Sequence, residues 1–167
     1  ENLLGYPVIG IDDDLKKVVN NDTYALITIG QIKSCVRRIK LFRKLQKLNY
    51  IFEPIISPRS YVSKHANIGK GTIVMHDAFV NANAKIGENC IINSKAIIEH
   101  DAKIGDHCHI ATGAIINGEV EVGRETFIGS GTVTKQCISI GNNCVINANL
   151  VLKTNIDSNR EINFSMH

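Results

Sequence analysis

The run Ala84-Lys-Ile-Gly-Glu-Asn-Cys90-Ile-Ile-Asn-Ser-Lys-Ala96-Ile-Ile-Glu-His-Asp-Ala102-Lys-Ile-Gly-Asp-His-Cys108-His-Ile110 decides the fold. Ala or Cys stands at 84, 90, 96, 102 and 108, and Ile follows two residues later each time. Stepping outward by six, from Val62 to Leu152, meets sixteen positions, of which fifteen are Ile, Val or Leu; the exception is Thr134. Gly follows the aliphatic residue at 69, 87, 105, 123 and 141, each eighteen residues from the last. Eighteen is three sixes. A chain that repeats every six residues and closes every eighteen is a triangular coil of three short strands per turn, a parallel β-helix of about five coils.

Each hexad has a physical reading once its aliphatic residue faces the inside of the prism. The residue two before it also points inward and is small (Ala66, Thr72, Ala78, Ala84, Cys90), because a narrow interior holds one branched and one small side chain per side. Three positions after the aliphatic lies a corner, where 11 of the 15 residues from His65 to Asn149 are Gly, Asn, Asp or His. Those types enter left-handed backbone conformations most readily. Thr134 breaks the column, and a bulge or loop is the expectation there.

Charge is unevenly spread. Residues 1–60 carry ten Lys and Arg against six acids, whereas 61–167 carry nine against ten. No apolar run approaches the roughly 20 residues that span a bilayer, and the five cysteines include Cys90, Cys108 and Cys144 at the small inward position. They read as buried hydrophobes in a reducing, cytoplasmic setting rather than as a disulfide framework. Ahead of the repeats, Pro7–Ile11 followed by Asp12, Asp13 and Asp14 predicts a strand ending in an acidic turn, and Tyr24–Ile29 before Gly30 predicts a buried strand. From Gln31 to Leu48, Ile32, Cys35, Val36, Ile39, Phe42, Leu45 and Leu48 recur at helical spacing. The opposite stripe of Lys33, Arg37, Lys40, Lys44 and Lys47 has no aromatic interleaving and reads as a solvated face, not a nucleic-acid surface.

Three of the six histidines, His100, His107 and His109, fall within ten residues. His107 and Asp101 occupy the corner position that already prefers such residues. His100 lies off it, so the repeat gives no reason for a histidine there. A histidine beside a carboxylate suits proton abstraction near neutral pH, and His100-Asp101 has that composition. His109 precedes Ile110 and faces outward from a strand; Cys108 faces inward, which argues against a nucleophile.

The run Ile92-Asn-Ser, Glu99-His-Asp, Ile104-Gly-Asp, His109-Ile-Ala-Thr-Gly and Gly118 resembles the signature of hexapeptide-repeat acetyltransferases that N-acetylate nucleotide-linked amino sugars, together with the related sialic acid O-acetyltransferases. The resemblance implies a mainly β fold, a left-handed β-helix behind a small α/β domain. It divides the chain into a partial, N-terminally truncated sugar-nucleotide domain over residues 1–56, an acyltransferase domain over 57–157 and a tail over 158–167. It implies direct acetyl transfer from acetyl-CoA to the amine of a UDP- or dTDP-linked sugar, without a metal, in a homotrimer with sites between neighbouring β-helices. By the same resemblance His100 is the general base, Asp101 its orienting partner and the Gly118 amide the oxyanion donor. His109, Ser130 and Ala148 would contact acetyl-CoA, and Asn93, Asp12, Asp13 and Gly30 the sugar nucleotide. Three other readings stay open: a sugar O-acetyltransferase, a zinc-dependent γ-type carbonic anhydrase-like protein using the three histidines, and a non-catalytic β-helix scaffold.

Overall fold

A computed structural model describes residues 2–163. From Ile55–Ile56 to Glu161–Ile162 the chain forms eighteen two-residue strands, three per coil and so six coils, joined only by parallel pairing into three sheets. Each strand pairs with the one eighteen residues on, as Ile97–Ile98 does with Phe79–Val80 below and Ile115–Ile116 above. This is a left-handed parallel β-helix. The last rung is shorter by two residues, pairing Val145 with Glu161, and residues 164–167 of the expected tail lie outside the described residues.

The hexad arithmetic is realised in packing. The inward column of Val80, Ile92, Ile98, Ile110, Ile116, Ile128 and Ile146 is 0% exposed and forms one continuous core with Ala84, Cys90, Ala96, Ala102 and Cys108. Burying each such aliphatic side chain stabilises the coil by about 1.5–3 kcal/mol. Fourteen non-consecutive corners from Gly71 to Asn149 have positive φ, among them Asp101 and His107 at 60°. The eighteen-residue glycine period comes from close stacking, since a Cβ on Gly123 would stand 2.6 Å from the backbone N of Asn142 in the next coil. Thr134 is no bulge. It lies within the strand Val133–Thr134 and is 1% exposed.

The three outer faces differ. The first carries an unbroken apolar ridge of Tyr61, Phe79, Ile97, Ile115, Val133 and Val151, half-buried to exposed, with Tyr61 and Phe79 stacked at 5.0 Å. The second is polar, with Lys85, Lys103, Glu121 and Ser139 in register and a Lys103–Glu121 ion pair at 2.6 Å. The third, through Ile91, His109 and Phe127, is covered by the N-terminal segment.

That segment is less regular than its sequence suggests. Pro7–Ile11 is not a strand: only Tyr6–Pro7 pairs, with Asn2–Leu3, while Val8, Ile9 and Ile11 are exposed without a partner strand among the described residues. Tyr24–Ile29 makes one parallel bridge, Tyr24 to Ile51, and only Ile27 is buried. The helix runs Val36–Lys47 and buries Arg38, Ile39, Phe42 and Leu45. Gln31–Ser34 stays out of it because Gln31 reaches the β-helix, donating from Nε2 to the His107 carbonyl at 2.5 Å. Arg38 is not part of the solvated stripe; its guanidinium is buried against the carbonyls of Ile27, Ile29 and Asn89, and desolvation lowers its pKa to about 10. No helix is long and apolar enough to cross a membrane among the described residues.

Candidate active site

His100 sits at the corner that leaves the first face. The rung Ile97–Ile98 is fixed by the fully buried Ile98, and the chain turns at once through Glu99, His100 and Asp101. The positive φ of Asp101 aims its carboxylate back at the preceding residue, so that His100 Nδ1 lies 2.9 Å from Asp101 Oδ2. The coil below holds Asp101 in place: Asn83 Nδ2 donates to Oδ1 at 2.6 Å and the Asp101 N–H donates to the Ala82 carbonyl at 3.1 Å. An ionised carboxylate can only accept, so the hydrogen is assigned to Nδ1 and Nε2 keeps its lone pair. The Asp101 hydrogen bond raises the His100 pKa, with Glu99 and Glu119 adding to it, and the hydrogen bonds from Asn83 and His100 lower that of Asp101.

Gly118 is eighteen residues on and lies above the imidazole: a Cβ there would be 2.8 Å from both Cε1 and Nε2. The Gly118 carbonyl accepts from Cys137 N at 3.0 Å, while its N–H makes no hydrogen bond among the described residues. A free base nitrogen and a free backbone donor thus meet in one hollow, which is completed by Glu99, Asn117, Glu119 and Gln136. Both carboxylates make the hollow electronegative.

His109 is not an open side chain. The loop carrying Gln31 covers it to 9% exposure, its Nδ1 donates to the Gln31 carbonyl at 2.6 Å, and its Nε2 lies 3.2 Å from Asn93 Nδ2. With the hydrogen on Nδ1, Nε2 accepts from the Asn93 amide. Burial pushes the His109 pKa down, and Phe127 packs edge-on against the ring at 5.2 Å. His109 therefore ties the N-terminal loop to Asn93, a contact across 78 residues of sequence that no local signal announces. His107 is half-buried against Phe42 with its Nδ1 3.1 Å from Asn89 Nδ2, and burial lowers its pKa. The three clustered histidines thus occupy two different corners and a strand face, and no three metal-binding side chains converge among the described residues. Cys108 points inward, its thiol 3.0 Å from the Gly123 carbonyl, and burial pushes its pKa well up.

The other expected contacts lie elsewhere. Ser130 and Ala148 are exposed and stack at the corner entering the first face, the corner that also carries Asn93. His100 and Gly118 stand at the corner leaving that face, so the apolar ridge separates the two columns. Asp12 lines a hollow of about 460 Å³ with Ile9, Leu15, Tyr24, Leu41 and Tyr50. Asp13 is exposed beside it, and Gly30 is exposed outside it with nothing within 4 Å of a Cβ.

Comparison with known proteins gives this arrangement a context. The family described as the GMPPB C-terminal domain matches residues 52–165. The acetyltransferase domain of PglB from Neisseria gonorrhoeae FA1090 is similar in structure, with a TM-score of 0.89 at 26% identity over 95% of this chain and 77% of that one. PerB from Caulobacter crescentus, in complex with CoA and GDP-perosamine, gives 0.87 at 29% identity over 93% and 74%. WeeI from Acinetobacter baumannii AYE gives 0.82 at 25% identity over 96% and 76%. No curated protein matches in sequence.

Proposed function

The chain belongs to the family of the GMPPB C-terminal domain, and we propose that it transfers the acetyl group of acetyl-CoA to the amine of a nucleotide-linked amino sugar, with His100 as general base. It is an acyltransferase of the hexapeptide-repeat sugar type, with acetyl-CoA as donor. The observation that carries the finer reading is the stacking of the unpaired His100 Nε2 against Gly118. Glu99 and Glu119 beside it favour an amine over a hydroxyl acceptor, and PerB was solved with an amino sugar.

The chemistry follows from that geometry. The acceptor amine attacks the thioester carbonyl while Nε2 takes its proton, and Asp101 holds the Nδ1–H and stabilises the imidazolium that forms. The negative charge that develops on the carbonyl oxygen falls to the Gly118 N–H, a backbone donor needing no reorganisation. Collapse expels the CoA thiolate, which recovers the proton from His100. Acetylated amine and CoA thiol result, and no covalent acyl-enzyme forms.

One chain presents His100 and the Asn93–Ser130–Ala148 corner on opposite edges of the apolar ridge. Packing of that ridge against a second copy covers the exposed Tyr61 and Val151 and brings the leaving corner of one copy toward the entering corner of the next. A homotrimer with sites between subunits is the assembly we propose. The test is acetyl-CoA-dependent thiol release with UDP-, dTDP- and GDP-linked 4-amino sugars and with free sialic acid, comparing the parent with His100→Ala. Turnover on an amino sugar that drops about a hundredfold or more is expected for loss of a general base. Turnover that survives the substitution would sink the mechanism.

A further inference from the structure

Thr134 is the one break in the aliphatic column, and the hydrogen-bond ladder breaks with it. At the equivalent place in neighbouring coils, the N–H just after the strand donates to the carbonyl of the aliphatic residue one coil on: Asn81 to Ile98 at 2.9 Å, Glu99 to Ile116 at 2.9 Å and Lys135 to Leu152 at 2.7 Å. Asn117 departs from this. Its N–H donates to Thr134 Oγ1 at 2.9 Å, and its side-chain Nδ2 takes the vacated Thr134 carbonyl at 2.6 Å. Ile115 stays paired with Val133, but the next pair in register, Ile116 with Thr134, is lost. In the coil below, both pairs are intact.

Packing gives no reason for this hydroxyl. Thr134 stands in one column with Ile116 and Leu152, and a Val there would leave the Asn117 N–H free to take the carbonyl, as its neighbours do. The hydroxyl engages the Asn117 N–H, one residue before the peptide that faces the base. The Asn117–Gly118 peptide carries the Gly118 N–H, the free donor above His100.

We propose that Thr134 is a positioning residue: its hydroxyl, by taking the Asn117 N–H out of the regular ladder, sets the tilt of the Asn117–Gly118 peptide and aims the Gly118 N–H at the thioester oxygen. This rests on the reading that Gly118 receives the oxyanion. The interruption of the core is then a device for catalysis, and stability and turnover pull against each other at this residue.

Three full-length variants test it: Thr134→Val, Thr134→Ser and His100→Ala, each measured for kcat, for KM toward acetyl-CoA and acceptor, and for thermal unfolding. Removing a whole oxyanion donor costs 10²–10³ in kcat, so a mis-aimed one is expected to cost about tenfold or more. Thr134→Val should show that loss with KM within about twofold of the parent and an unfolding temperature equal or higher. Thr134→Ser keeps the hydroxyl and should retain kcat within about threefold despite a lower unfolding temperature. Parent kcat in Thr134→Val overturns the proposal, as does a loss shared by both variants in proportion to lost stability. If His100→Ala keeps parent turnover, the site reading fails and the role of Thr134 falls with it. If His100→Ala abolishes turnover while Thr134→Val keeps it, only the positioning role fails.

Discussion

Gly118→Ala separates the placement of the base from the presence of the donor. A Cβ at residue 118 would lie 2.8 Å from both Cε1 and Nε2 of His100, against the 3.5–4.0 Å at which carbon-sized atoms pack. The imidazole must therefore withdraw by about 0.7–1.2 Å. It can do so, because its side chain is 55% exposed and can swing outward without opening the coil. Gly118 is not among the positive-φ glycines, so alanine fits its backbone, and the substitution should leave stability unchanged or raise it by about 0.4–1 kcal/mol. The Gly118 N–H survives; only the base moves. A displacement near 1 Å at a reacting group costs on the order of 10²-fold, so kcat should fall between about tenfold and a hundredfold. Thiol release at saturating substrates, beside a thermal melt, measures both. A kcat within about threefold of the parent would refute the stacked arrangement, since no base held that closely against residue 118 could tolerate a methyl group. So would a large fall in melting temperature, because the clash would then have been relieved by the coil and not by the side chain.

Asp101→Asn removes the hydrogen-bonded carboxylate that is the main cause of the raised His100 pKa. The base works neutral, so kcat/KM rises with pH through its pKa, and the acid limb of the profile should move to lower pH while the plateau falls. An acid limb that stays in place or moves up would exclude His100 as the titrating base. Ile97→Lys with Ile115→Lys places two charges in the middle of the apolar ridge, where the two residues pair in register. Light scattering should show a monomer with intact circular dichroism and lost turnover, and an assembly of parent size would remove the ridge from the interface. Cys108→Ala should retain turnover within about twofold, because the thiol faces the core; loss of activity without loss of stability would reopen a nucleophilic role.

The sequence made the solenoid legible because its period is strict and local: each coil is bounded by eighteen residues, and every inward position repeats one small set of side chains. The His100–Asp101 pair was legible for the opposite reason, as a histidine where the repeat asks for none. The burial of His109 was not. It depends on Gln31, 78 residues away, at the head of a segment whose helix was expected to begin there. The same pull explains why the helix starts at Val36 and not at Gln31. Pro7–Ile11 has a strand's composition, but a strand needs a neighbour, and the described residues supply one only to Tyr6–Pro7. The Thr134 exception was visible as a break in a column; its meaning was not, because the break resolves into hydrogen bonds between coils.

A solenoid can offer chemistry only in columns, since every outward position is stacked on its equivalents one coil above and below. On the corner leaving the first face that column runs Ala82, His100, Gly118 and Gln136, so a small residue lies below the base and a bare one above it. Asn83 holds the base's partner from the coil below, and Thr134, in the coil above the donor's, binds Asn117, the residue before the donor. Four consecutive coils thus bear on one atom pair, Nε2 and the Gly118 N–H, and two departures from the repeat, His100 and Thr134, fall within them. Such concentration is tolerable in this fold because each coil contacts only its neighbours. The regular aliphatic interior on either side supplies stability that the specialised coils need not, so a hydroxyl in the core and a clash-prone histidine on the edge can persist without unravelling the stack.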